Sequence, residues 1–290
     1  MFWILALISM LGYTIQGTLM AHFIRKIDPL SIGFYRSITF FISLLPLLFL
    51  VDVSEIIAIK DFWFEISIAA LLGAAAQWAS FWTIRFFSVG IASAIKMGLF
   101  VIFSITLGVL FSDEFLTQAQ VLAVILILVG ATALGIRKEK MPHLKPVGFL
   151  EGLLFLVSTS ILLSVSVFFV AKVSRELSPW VSGYFWETGI AVFAGIFLLF
   201  RKIFTGKSIE RISLKTFGKI FLTAWPTLLG TGGFTLAVKY GPVGLVNAIS
   251  VSGILLSVVL AHFLYGEKLK PVHWSLIGII IIGVVALKIS

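Results

Sequence analysis

The chain writes one pattern twice. Residues 24–38 read IRKIDPLSIGFYRSI and residues 174–188 read SRELSPWVSGYFWET, so Pro29 aligns with Pro179, Gly33 with Gly183, Phe34 with Tyr184 and Tyr35 with Phe185. Farther on, Phe87 aligns with Tyr240, Ser104 with Ser257 and Glu114 with Glu267. The offset is 150 in the first block and 153 in the second, which describes a tandem duplication with a small change of length. Nearly everything between the matched points is apolar. A duplicated, membrane-embedded chain with a binding site at the repeat interface is a common build for a secondary transporter.

Composition sets the solvent in which the duplicated unit folds. Sixty per cent of the residues are hydrophobic and 12% charged, with a mean hydropathy of +1.13. A water-soluble domain has too few charges here to cover its apolar surface. A bilayer-crossing helix needs about 20 apolar residues, and the sequence predicts ten such spans. They cover 2–24, 30–51, 62–86, 90–111 and 118–136 in the first half, and 147–173, 180–200, 217–238, 243–264 and 272–289 in the second. The first span starts with no basic stretch before it and no A-x-A site after it, so it reads as a span rather than a cleaved signal peptide. The breaks carry helix punctuation. Asp28-Pro29 and Ser178-Pro179 each place a capping side chain before a first-turn proline, and Thr117 with Gln120 makes a capping box.

The expected fold class is therefore an all-α membrane protein with ten transmembrane helices arranged as two inverted five-helix repeats. The inversion follows from counting: after an odd number of crossings the second repeat enters from the opposite side. The domain reading is a first repeat over 1–138, a linker over 139–146 and a second repeat over 147–290. The expected location is a cell membrane, multi-pass, of the prokaryotic inner or cytoplasmic kind.

Charge placement excludes several function classes. The net charge of +9 does not indicate nucleic acid, because the basic residues sit in short loops between spans. Loops after the odd-numbered spans hold fifteen Lys and Arg, and the other side holds five. The positive-inside rule then places both termini outside. The absence of cysteine excludes disulfide and zinc-thiolate chemistry. His22 and His262 are isolated, no Walker or dinucleotide-binding glycine pattern is present, and neither a metal nor a cofactor is expected.

The whole chain resembles a ten-helix member of the EamA type of the drug/metabolite transporter superfamily. The resemblance rests on the doubled five-span unit, the Asp28-Pro29 and Ser178-Pro179 entries, and the small residues opening spans four and nine. It also rests on the acidic ends of those spans, Ser112-Asp113-Glu114 and Tyr265-Gly266-Glu267. The second of these keeps the family's glycine-glutamate and the first keeps only the glutamate. Leu11-Gly12 stands for the family's tryptophan-glycine, and the mid-helix prolines of spans four and nine are missing. The resemblance implies a transporter rather than an enzyme, a central cavity walled mainly by spans three, four, eight and nine, and both termini inside, opposite to the charge bias.

A few polar residues lie at membrane depth, where an ionisable group is costly and tends to be functional. Lys96 lies in span four, and its repeat equivalent is Ile249, so its charge is no requirement of the repeated fold. It reads as a ligand for a substrate carboxylate or phosphate, against snorkelling to a headgroup. Glu187 in span seven reads as a carrier of a coupling proton or a partner for a cationic substrate group, against a structural partner for Arg36 or Lys96. Arg36 reads as that charge partner or as a headgroup contact. Gln77 and Asn247 read as cavity amides, and Gln16 as helix packing. Trp78, Trp82 and Trp225 read as a stacking or cation–π box, against ordinary packing.

This set fits a gradient-driven transporter of a small organic metabolite working by alternating access, with an amino acid or similar zwitterion as substrate. The alternative within transport is an organic cation such as choline, held by the tryptophans and Glu187. The alternative of another class, an intramembrane enzyme or lipid-modifying protein, needs clustered His, Asp and Glu or a Ser/His pair at depth, which the chain does not offer. The partners expected are the substrate, the lipid bilayer and coupling protons, with the protein a monomer or homodimer.

Overall fold

The computed structural model describes residues 1–87, 89–112, 117–136, 149–266 and 270–289. Asp113, Glu114, Glu267 and the expected linker 139–146 lie outside the described residues. Among the described residues the regular structure is helical throughout, with no strand. The helices are α1 (Phe2–Ile24), α2 (Pro29–Leu44), α3 (Val53–Ala58), α4 (Trp63–Phe86), α5 (Val89–Phe111) and α6 (Gln118–Ile136), then α7 (Phe149–Glu176), α8 (Pro179–Thr205), α9 (Leu214–Ala224), α10 (Thr227–Tyr240), α11 (Val243–Ser250), α12 (Gly253–Tyr265) and α13 (Pro271–Ile289). Among the described residues, five stretches are long and apolar enough to cross a membrane: Phe2–Ile24, Leu150–Glu176, Pro179–Thr205, Leu214–Tyr240 and Val243–Tyr265. Shorter apolar helices run over Ile95–Phe111, Gln118–Gly130 and Trp274–Gly283.

The helices differ from the expected spans at three places. The second span stops as an α-helix at Leu44 and continues as a 3₁₀ turn over Leu45–Leu50, because Pro46 has no N–H to give to the preceding turn. The eighth span is two helices, α9 and α10, separated at Trp225-Pro226 for the same reason. The ninth is also two, α11 and α12, although no proline is present. Its joint tightens to three-residue hydrogen bonds, Val251 N–H to Ala248 O (3.1 Å) and Ser252 N–H to Ile249 O (3.0 Å), and the Ser252 hydroxyl also donates to Ile249 O (2.7 Å). The caps also differ. Asp28 accepts from the Ser31 N–H (2.9 Å), whereas the Ser178 side chain makes no cap bond and its hydroxyl leaves that turn to proline geometry alone. Thr117 and Gln120 form the reciprocal box at the start of α6, at 3.0 and 3.2 Å.

Contacts between helices follow the duplication. α1 packs on α10 and α4 on α7, and exchanging the two halves turns one pair into the other. Of the other pairs, α2 with α8, α5 with α11 and α12, and α6 with α13 join equivalent elements and map onto themselves, while α5 on α7 has its counterpart in α11 and α12 on α1. That is the contact pattern of a two-fold relation between like halves. Small residues permit it. A Cβ at Gly12 would run into the Gly230 backbone and the Pro226 carbonyl, so α1 and α10 meet backbone to backbone. Ser9 Oγ seals that contact by donating to Gly230 O (2.8 Å), and Ser166 Oγ seals the counterpart by donating to Ala69 O (2.6 Å). One apolar core draws on both halves at the centre, and a second lies among α5, α6, α11, α12 and α13.

Candidate functional site

A cavity of about 230 Å³ lies at the centre of the bundle. Its wall comes from α1, α2, α4, α5, α7, α8, α11 and α12, while α10 adds only Phe234 and none of the described residues of α6 or α13 takes part. The lining runs along α1 from Met10 to Ile24, and along α5 from Val89 to Phe100. The cavity therefore occupies the middle of the bundle and the half toward the end where α1, α4 and α8 finish. That end carries the basic loops.

The position of each polar side chain follows from helix periodicity. On α4, Gln77, Ser80, Phe81 and Ile84 face the cavity at spacings of three and four. Gln77 Nε2 donates to Gly33 O (3.0 Å) and Ser37 Oγ (3.3 Å), and its carbonyl accepts from Arg36 Nη1. Arg36 is buried, stands over the Phe40 ring (4.4 Å), and has Glu187 Oε2 at 3.9 Å as its carboxylate partner. Glu187 is 2% exposed. Its Oε1 accepts from Thr231 Oγ1 (2.7 Å), and the Tyr13 and Thr231 hydroxyls lie 3.0 Å apart. One carboxylate thus connects α8 with α10, α1, α2 and, through Arg36, α4.

Lys96 Nζ donates to Ser80 Oγ (3.3 Å), one turn along α4 from Gln77. Its side chain lines the cavity instead of reaching the bundle end, and no carboxylate of a described residue lies within ion-pair distance of it. Three buried polar atoms in the wall have no hydrogen-bond partner among the described residues: Glu187 Oε2, Asn247 Nδ2 and Thr159 Oγ1. Such groups cost roughly 1–3 kcal/mol each when left unpaired, so the site holds an acceptor and two donors that a solute would satisfy.

The structure brings Lys96, Arg36, Gln77, Glu187 and Asn247 to one cavity. It does not bring Trp78, Trp82 or Trp225 there. One residue past Gln77 is about 100° around a helix, so Trp78 and its i+4 neighbour Trp82 leave the cavity face. Both rest on Phe155 of α7, at 6.3 and 5.9 Å between ring centres, and Arg85 stands over Trp82 at 5.1 Å. Trp225 is 55% exposed at the α9–α10 joint. The cavity tryptophan is Trp186, the repeat equivalent of Arg36, with Nε1 donating to Ser166 Oγ (3.1 Å). Gln16 also lines the cavity.

The EamA-like transporter family model matches residues 1–136 and 150–288, one match for each half of the chain. The chain belongs to the EamA-like transporter family. It is accordingly a membrane transporter of the drug/metabolite transporter superfamily, built as two repeats. No curated protein matches it. A solved structure described only as "Crystal structure of protein" is similar at 17% identity with a TM-score of 0.72, over 98% of this chain and 96% of that one. That likeness concerns the fold.

In this EamA-like transporter the basic end of the bundle is laced across the repeats. Arg201, near the end of α8, pairs with Asp28 before α2 and donates to Ser208 O (2.9 Å). Glu210 Oε2 accepts from the Asp28 N–H (2.7 Å), and Glu210 O accepts from the Tyr35 hydroxyl (2.8 Å). Partial burial pushes the Asp28 carboxyl up, but hydrogen bonds from Arg201 and Ser31 outweigh it and hold the group below its ordinary value of 3.8. At the other end Lys172 and Glu65 pair at 3.0 Å in a solvent-facing position. Tyr13, Thr231, Ser80 and Thr159 are site residues that sequence reasoning missed. Each is an ordinary hydroxyl-bearing residue in an apolar helix, and the only signal near any of them is the Thr231-Gly232-Gly233 run beside Pro226.

Proposed function

We propose that this transporter carries a small organic metabolite, an amino acid or similar zwitterion, across a cell membrane by alternating access driven by a solute gradient. The observation that carries the reading is one cavity at the repeat interface holding, among the described residues, a lysine without a carboxylate partner and a carboxylate with an oxygen that accepts no hydrogen bond. Those are the two complements a zwitterion needs. The size agrees, since about 230 Å³ is below the roughly 300–1,000 Å³ of pockets for drug-sized ligands. An organic cation is the weaker reading, because the two cations Arg36 and Lys96 line the same space and the three expected cage tryptophans do not.

In this scheme ten crossings form two inverted repeats, 1–138 and 147–290, with α3 at the surface and α9–α10 and α11–α12 each one crossing. The two laced ends alternate as gates while the Arg36–Glu187 pair holds the halves together around the solute. Reconstituted protein should exchange labelled amino acid against an unlabelled internal pool. A panel of amino acids, polyamines, choline and sugar phosphates identifies the class. Exchange of choline or polyamines without any amino acid would overturn the reading.

A further inference from the structure

The charges in the wall do not balance. Among the described residues, the charged ones lining the cavity are Arg36, Lys96 and Glu187, two cations and one anion. A simple zwitterion brings no net charge and leaves one positive charge unanswered in a low-dielectric interior, where an uncompensated charge is costly. A solute of net charge −1 removes that cost.

The spacing of the two cations narrows the choice further. Both are tied to the same face of α4: Arg36 Nη1 hydrogen-bonds Gln77, and Lys96 Nζ hydrogen-bonds Ser80. Residues three apart on a helix have Cβ atoms about 5–6 Å apart. The cations are therefore anchored one helical turn apart along α4, a spacing that suits a dicarboxylic acid with a short carbon chain. Beside Arg36 is Glu187 Oε2, a buried carboxylate oxygen with no hydrogen-bond donor among the described residues. The groups available are two for anions and one for a cation.

We infer that the preferred solute is a small dicarboxylic amino acid, with one carboxylate on Lys96, the other on Arg36 and the ammonium on Glu187. The inference rests on the amino-acid reading above and deepens it. Asn247 Nδ2, which has no hydrogen-bond partner among the described residues, supplies a further donor for a carboxylate oxygen.

Counterflow exchange of labelled glutamate and aspartate in proteoliposomes, with competition by alanine, serine and succinate, tests it. Glutamate or aspartate should compete better than the neutral amino acids by roughly tenfold or more, the scale of one charge-assisted hydrogen bond. Succinate, lacking the ammonium, should compete less well than aspartate. Lys96→Gln removes one positive charge and should invert the ranking toward neutral amino acids. Preferential exchange of neutral amino acids by the unaltered protein overturns the dicarboxylic assignment while leaving the zwitterion reading standing. Exchange of no amino acid removes both. An unchanged ranking in a folded Lys96→Gln protein overturns the charge argument. If that variant does not fold, Ser80→Ala, which frees the Lys96 ammonium without removing its charge, should keep the acidic preference, and the wild-type ranking decides the matter.

Discussion

Lys96 and Glu187 stand out in the sequence for one physical reason: an ionisable group in an apolar span must have an answer within the protein. The answer differs in the two cases. Glu187 is held by Thr231 and Arg36, whereas the Lys96 ammonium has, among the described residues, only the Ser80 hydroxyl. Lys96→Ala is expected to slow exchange by roughly 10–150-fold, corresponding to the ~1.5–3 kcal/mol of a hydrogen bond to a charged group, with melting temperature in detergent near wild type. Lys96→Arg should rescue poorly, since a planar fork cannot take the place of a compact ammonium in a cavity this small. A collapse of stability in Lys96→Ala would instead make the residue structural. Glu187→Gln leaves Arg36 buried with only an amide partner, and breaking such a pair costs ~3–5 kcal/mol. The double variant Arg36→Gln with Glu187→Gln should recover part of that loss in a denaturation cycle. Full additivity would mean that the two residues do not interact. These charges were legible because they violate the composition around them. Tyr13, Thr231 and Thr159 were not legible, because a hydroxyl in an apolar helix is ordinary until its neighbours are known.

At the scale of elements, the close approach of α1 and α10 depends on the absence of side chains at Gly12 and Gly230. Gly12→Leu is expected to lower stability by at least the ~1–3 kcal/mol typical of overpacking, measured as a lower melting temperature, and to impair exchange because this contact borders the cavity wall. Unaltered stability would show that α1 sits away from α10. The lacing of α2 to α8 by Asp28 has a defined pH dependence. A carboxyl held below its ordinary value adds stability above that value and loses it as pH falls through the lowered one. The advantage of wild type over Asp28→Asn should therefore be complete near neutral pH and shrink only once the pH drops below 3.8. An advantage that grows on acidification would contradict the pairing. Proline and capping signals placed most helix ends, yet the α11–α12 joint escaped them. That break arises where Ser252 hydrogen-bonds back onto its own turn, which nothing in an apolar run announces.

For the whole molecule, the exchange of partners between halves, α1 with α10 and α4 with α7, is what two like units produce when they close face to face. If five crossings make each unit, reporters fused at Ser290 and within 137–146 should lie on opposite sides of the membrane. Reporters on the same side would remove the inverted relation. The basic loops gather at the end toward which the cavity extends; the positive-inside rule predicts that this end is cytoplasmic, whereas termini on the inside, as the family resemblance implies, would make it the outer end. Labelling of a single cysteine introduced at Ile84 by a membrane-impermeant reagent, in right-side-out and inverted vesicles, reads this directly.

By itself the sequence determined the solvent, the helical class, the repeat and the buried charges, because each is local or compositional: hydropathy fixes what a segment dissolves in, and a repeat is visible as identity at an offset. Only the tertiary structure decided which side of each helix faces the cavity. It turned Trp78 and Trp82 onto Phe155 while the adjacent Gln77 met Arg36, a separation of about 100° in helix rotation. In a soluble protein polar and apolar faces announce that rotation. In a membrane helix both the lipid face and the packed face are apolar, so the rotation is set by which small residues let neighbouring backbones approach.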